Sequence, residues 1–185
     1  MTMQHIDPAT ASGETKEVFD EVVSQFGAAI NLFKIAANAP NILKGLLALN
    51  KQVTTSIELD GKLIEQVAML VSALNSCDYC VNVHMQVGQK YGLTEKNMID
   101  AISGKADSPK AQALLTFAYE VVKNRGQVSD ESFMQARNAG FSDKALLETV
   151  GLIGFYTTIQ YIRHVGKPDH DFPEVTAFNP SQHAA

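Results

Sequence analysis

The stretch "KLIEQVAMLVSALN", residues 62–75, constrains the fold more than any other part of this chain. Read as a helix, it is apolar on nearly every side, and such a helix has no face to turn to water. It must sit inside a jacket of other elements. Alternating β patterning with Gly-containing hairpin turns is absent, so the jacket has to be helical. "SGETKEVFDEVVSQFG" opens at a capping position, Ser12, and carries Val18, Phe19, Val22, Val23 and Phe26 at helical spacing until Gly27 stops it. "APNILKGLLALNKQVTTSI" has Pro40 in a first turn and apolar positions at 42, 43, 46, 47 and 49. After the buried stretch, "SCDYCVNVHMQVGQKYG" runs to Gly92, and "TEKNMIDAIS" begins on a threonine cap. "SPKAQALLTFAYEVVKN" has Ser108 as cap and Pro109 at the first position, while "SDESFMQARNAG" and "SDKALLETVGLIGFYTTIQYIRHV" both open on serine and aspartate. The expected fold is an all-α, single-domain helical bundle. Residues 1–12 read as an irregular lead-in, and residues 166–185, with three prolines and no period, as a C-terminal arm.

At 185 residues the chain suits one domain, 1–185. A chain of that size buries roughly two thirds of its unfolded surface, so it needs no disulfide staple to fold. A net charge of −5 offers no basic face for nucleic acid. No apolar run reaches the roughly 18 residues of a membrane span, and "MTMQHIDPATASGETKE" has no signal-peptide core. The expectation is a cytoplasmic protein with neither membrane nor nucleic-acid partner. In a reducing compartment a pair of cysteines is more often catalytic or metal-binding than structural.

Both cysteines lie in "NSCDYCVNVH", residues 75–84. On a helix, Cys77, Cys80 and His84 fall within an arc of roughly 60°. "LNSC" reads as a helix start, with Asn75 or Ser76 as cap, and a helix N-terminus favours thiolate over thiol. His84, one turn beyond Cys80, is placed to exchange a proton with its sulfur. A carboxylate must then hold the imidazole in the right tautomer, as in any nucleophile–base–orienter set. Glu65 is the candidate, since a carboxylate inside "LIEQVAML" is costly to bury without a partner. Two plainer readings stand beside this one. The cysteines could be small buried hydrophobes. Zinc would want a fourth ligand that does not cluster with these three.

The order Glu65, eleven residues, Cys77, two residues, Cys80, three residues, His84 resembles the signature of alkylhydroperoxidase D-like proteins in the carboxymuconolactone decarboxylase superfamily. Ser72 and Asn75 in "VSALNSCDYC" fit the same pattern, and the helical units with "DFP" near the C-terminus resemble the longer peroxidase-related members. The resemblance implies an all-helical subunit that assembles into trimers or hexamers and needs no cofactor or metal. It implies a dithiol that reduces peroxide, with Cys80 peroxidatic, Cys77 resolving and Glu65–His84 as proton relay, restored by an external dithiol or protein reductant. The helix-dipole argument favours Cys77 as the more acidic thiol; a base within one turn favours Cys80. One departure matters. The pair encloses Asp78 and Tyr79 where the founding members carry a histidine, and Asp78 is expected to disfavour both thiolates. Rival readings are lactone-processing chemistry like that of the superfamily's namesakes, which generally lack the cysteine pair, and a non-enzymatic redox-sensing oligomer.

An internal echo accompanies the motif. "LIEQVAML" (63–70) and "LLETVGLI" (146–153) share apolar positions at an offset of 83, which sets Glu148, Gln160, Arg163 and Lys167 against Glu65, Cys77, Cys80 and His84. Duplication of a helical unit and chance register both account for it. Of the other histidines, His5 and His183 fall in the ends, His164 in a last helical turn where a cation is favourable, and His170 in a loop that could border a subunit boundary. Met69 and Phe155 read as core, or as lining of a substrate entrance.

Overall fold

The computed structural model describes residues 2–55 and 58–179, and among these the backbone forms nine helices and no strand. In chain order they are α1 (Gly13–Phe26), α2 (Asn31–Ala36), α3 (Pro40–Thr54), α4 (Gly61–Leu74), α5 (Asp78–Lys90), α6 (Glu95–Ile102), α7 (Pro109–Lys123), α8 (Asp130–Asn138) and α9 (Asp143–Gly166). Most starts follow the side-chain chemistry. Asp60, Thr94, Ser108, Ser129 and Ser142 each accept a backbone N–H of the first turn, and each such cap is worth about 1 kcal/mol. Ser12 stands at the N-cap of α1 without a side-chain bond, and Gly27 closes that helix in the left-handed conformation, φ 83°. The short α2 is not marked by any periodic run in the sequence; Leu32, Phe33, Ile35 and Ala36 are buried instead by what packs over them.

As the sequence requires, α4 is the central element. Every residue from Leu63 to Ala73 is buried, and α5, α6, α7 and α9 surround it. Apolar burial divides into two clusters. The larger gathers α4, α6, α7 and much of α9. The smaller packs Val18, Phe19, Leu32, Phe33, Leu43 and Leu47 of α1–α3 around Cys77, Tyr79 and Cys80. Met69 and Phe155 belong to the larger cluster and are fully enclosed. The two echoing segments are both helical and lie in contact, α4 against α9. They differ in one respect: α4 breaks at residue 75, whereas α9 runs straight through the equivalent place.

The ends are more tied down than their composition implies. In the lead-in, the amides of Met3 and Ile6 donate to the carbonyls of Gly166 and Lys34. The arm leaves α9 through Lys167, φ 52°, and continues without helix to residue 179. Residues 180–185, His183 among them, lie outside the described residues. No helix among the described residues is long and apolar enough to cross a membrane.

Candidate active site

The site begins where α4 breaks. Asn75 caps the C-terminus of α4, Ser76 turns the chain with φ 55°, and Cys77 becomes the N-cap of α5. The cap is therefore the cysteine itself, not Asn75 or Ser76. Its sulfur accepts the Cys80 N–H at 3.3 Å. Asn75 is unavailable because its amide donates to Gln160 Oε1 at 2.7 Å and to Thr157 Oγ1 at 3.3 Å. Gln160, fully buried, donates in turn to Ser72 Oγ, and His164 Nε2 donates to the Asn75 carbonyl at 2.8 Å. A polar lattice from α9 thus satisfies the groups freed by the break, which buried backbone demands. His164 serves the end of α4 rather than of its own helix.

The two cysteines are joined as a disulfide, with Cα atoms 5.3 Å apart. Cys77 is 0% exposed and Cys80 4%. Burial alone fits the plain reading of two small hydrophobes; the bond between the sulfurs goes beyond it. Glu65, 5% exposed on α4, meets His84 of α5 with Oε2 to Nδ1 at 2.8 Å. An ionised carboxylate only accepts, so Nδ1 carries the proton and Nε2 is left as the basic nitrogen of the neutral ring. The structure therefore brings the four expected residues together as two bonded pairs on adjoining helices, with His84 one turn along α5 from Cys80 on the same face.

Sequence reasoning missed a second partner of the His84 ring. Tyr156 of α9 stands perpendicular to it, with ring centroids 5.0 Å apart. Its phenol is pushed well above the ordinary range, first by burial and then by the Glu65 carboxylate. It stays neutral at any working pH. No local signal marks Tyr156 among the apolar residues of α9.

Asp78 also departs from expectation. Its Oδ1 receives Arg163 Nη2 at 2.7 Å and the Tyr79 amide at 2.7 Å, and its Oδ2 faces His170 Nε2 at 3.6 Å. The charge between the cysteines is countered rather than bare. The next residue, Tyr79, is 1% exposed; its hydroxyl accepts the Leu32 amide at 3.1 Å and donates to Asp171 Oδ2 at 2.5 Å. Burial, and then the bond to Asp171, hold that phenol far above its usual range. Asn82 closes the set. Its Oδ1 accepts the Val175 amide at 2.8 Å, which turns its amino group to His170 Nδ1 at 3.0 Å. The arm is thus a strap fastened to the first turns of α5, and His170 is part of the fastening. Among the described residues, no group of three His, Cys, Asp or Glu side chains is arranged to hold a metal ion.

Residues 40–124, from the start of α3 through the end of α7, match the carboxymuconolactone decarboxylase family. That segment contains Glu65, Cys77, Cys80 and His84. No curated protein matches the chain. Among solved structures, the alkylhydroperoxidase AhpD core of an uncharacterized peroxidase-related protein from Ralstonia eutropha JMP134 superposes with a TM-score of 0.79 at 22% identity, over 91% of this chain and 92% of that one. An uncharacterized peroxidase-related protein from Silicibacter sp. TM1040 follows at a TM-score of 0.75 and 16% identity, over 96% and 93%. The debrominase Bmp8 shares the fold at a TM-score of 0.72 and 17% identity, over 97% and 94%. The segment that matches the carboxymuconolactone decarboxylase family spans the whole motif, and the helical fold shared with these solved structures runs the length of the chain.

Proposed function

We propose that the protein is a cofactor-free thiol peroxidase or disulfide reductase working through Cys77 and Cys80. The observation that carries this reading is a disulfide at a buried helix start with a carboxylate-bound histidine one turn away. The Cys80 thiolate attacks the terminal oxygen of a peroxide, the O–O bond breaks, and Cys80 becomes a sulfenic acid. The departing alkoxide takes from His84 Nε2 the proton that this nitrogen accepted when the Cys80 thiol ionised. The Cys77 thiolate then displaces hydroxide, which leaves as water, and the disulfide forms. An external dithiol returns two electrons by attacking Cys80, the less buried sulfur. Cys77 leaves as a thiolate that the Cys80 N–H already faces. High thiol acidity at Cys77 therefore suits a resolving and leaving role, which reconciles the helix-start argument with Cys80 as the peroxidatic residue.

A second reading rests on the likeness to the debrominase, a cysteine-to-alanine variant of which has been seen in complex with 2,3,4-tribromopyrrole. The same dithiol balances a reductive dehalogenation: one aryl bromide and two thiols give the arene, a disulfide and hydrogen bromide. Self-assembly into a trimer or hexamer is part of the proposal. The outward face of α9 presents Leu147, Val150, Tyr161 and Val165 to solvent, beside a groove of about 460 Å³ shared with Met3 and Ile42.

The test is peroxide-driven thiol loss in reduced protein, followed by quenched-flow trapping. Wild type is expected to lose two thiols without crosslinking between chains. Glu65→Gln and His84→Gln are each expected to be at least about tenfold slower with helicity unchanged, since general acid–base assistance is worth about 10²–10⁴. The double variant should be hardly slower than either, because the two side chains act as one unit. Wild-type rates in both single variants would refute the relay, and bromide release without peroxide turnover would favour the second reading.

A further inference from the structure

We propose that Arg163 is a positioning residue for the dithiol: by cancelling the charge of Asp78 it keeps the cysteine pair ionisable. The inference rests on the dithiol reading above. An aspartate between the cysteines sits against the chemistry, because a thiolate at a buried site is disfavoured by its surroundings and again by a neighbouring anion. The fold answers with a cation from the far end of α9. Arg163 Nη2 reaches Asp78 Oδ1 at 2.7 Å, with the side chains only 17% and 37% exposed. Its guanidinium also lies over the Tyr79 ring, 6.0 Å from the centroid. The placement carries a cost that a casual surface pair would not bear, since Arg163 Nε is buried with no hydrogen-bond partner.

The charged groups around the pair come from α4, α5, α9 and the strap, while α1, α2 and α3 meet it with apolar side chains. These groups are Glu65 on α4, Asp78 and His84 on α5, Arg163 and His164 on α9, and His170 and Asp171 on the strap. Glu65 is matched by His84, and His170 faces Asp78 at the longer distance of 3.6 Å. Within this set Arg163 is the group that is cationic at every working pH, which is why the compensation falls to it. Asp78 follows Cys77 directly in the chain, and a like charge beside a thiol disfavours its ionised form. Unmasking Asp78 is accordingly expected to raise the more acidic thiol by about one unit or more.

The experiment is a pH titration of thiolate absorbance at 240 nm on reduced protein, with circular dichroism as the folding control. Wild type, Arg163→Gln, Arg163→Lys, Asp78→Asn and the Asp78→Asn/Arg163→Gln double variant are compared. Arg163→Gln should raise the apparent thiol pKa by about one unit, Asp78→Asn should lower it, and the double variant should return close to wild type. Arg163→Lys should retain most of the effect. An unchanged titration in folded Arg163→Gln, or a double variant shifted as far as the single, would overturn the proposal. If Arg163→Gln does not fold, an unchanged pKa in folded Asp78→Asn overturns it equally. Peroxide-driven thiol loss in wild type is measured alongside. Titration shifts as expected in a protein inert to peroxide would remove the peroxidase reading and leave the role of Arg163 standing.

Discussion

Replacing Tyr79 with phenylalanine isolates the fastening of the strap. The ring stays, so the packing in the smaller cluster is retained, and only one oxygen is removed. That oxygen has two partners. The Leu32 amide, in the first turn of α2 where no intrahelical acceptor exists, would be left buried without a partner. Stranding a buried donor costs about 1–3 kcal/mol. Asp171 would lose one donor but keeps the Asn31 amide at 3.1 Å and lies exposed, so water replaces much of that bond. The sum is roughly 2–3 kcal/mol. For a chain of this length 1 kcal/mol corresponds to about 2–4 °C, so the melting temperature should fall by about 5–10 °C. The assay is a thermal melt by circular dichroism at fixed protein concentration, paired with hydrogen exchange at the Leu32 amide and limited proteolysis within residues 167–178. A melting temperature within about 1 °C of wild type, together with unchanged exchange at Leu32, would refute the reasoning and leave the hydroxyl without energetic weight.

Alkaline titration should separate the tyrosines. Tyr79 and Tyr156 are both held above the usual value of 10, so the folded state keeps protons that the unfolded chain releases. Their contribution to stability is complete below about pH 10 and declines as pH rises beyond it. Phenolate absorbance of two of the five tyrosines should therefore appear only with loss of helix; reversible ionisation of all five in folded protein would contradict this. Gly166→Ala is expected to destabilise, because the new Cβ would lie 2.6 Å from Ile35 Cγ2. Overpacking of this kind costs about 1–3 kcal/mol, against at most about 1 kcal/mol gained in helix propensity; a higher urea midpoint would show that Ile35 yields. Purified protein should contain well under one zinc per subunit, since Glu65 already holds Nδ1 of His84 and, among the described residues, no fourth ligand joins the cysteines. Stoichiometric zinc retained through dialysis would sink the dithiol reading.

The features legible in the sequence are those set by short-range pattern. The all-round apolar character of residues 63–73 required a central helix, and the buried charge of Glu65 required a partner, which His84 supplies. Serine, threonine and aspartate announced most helix starts because a cap is a contact across three residues. Features that depend on chain segments meeting from afar were hidden. The cap at Cys77 follows from Asn75 being claimed by Gln160, 85 residues away. The masking of Asp78 depends on Arg163, and the burial of Tyr79 on Leu32 and Asp171. The echo at offset 83 did set Gln160 and Arg163 opposite the cysteines, and those residues do touch the break and Asp78. The sequence carried that correspondence without its geometry.

The fastening of α5 has a consequence for how the chain is made. Tyr79 and Asp171 are separated by 92 positions, and the strap follows the cysteines out of the ribosome. At about 5–20 residues per second, a newly made Cys77–Cys80 segment waits roughly 5–18 s before the residues that fasten it have been synthesised. During that interval Asp78 has neither Arg163 nor His170 beside it, and its charge stands uncompensated next to the cysteines. On the proposal made for Arg163, the dithiol gains its full ionisability only once the end of α9 has been made.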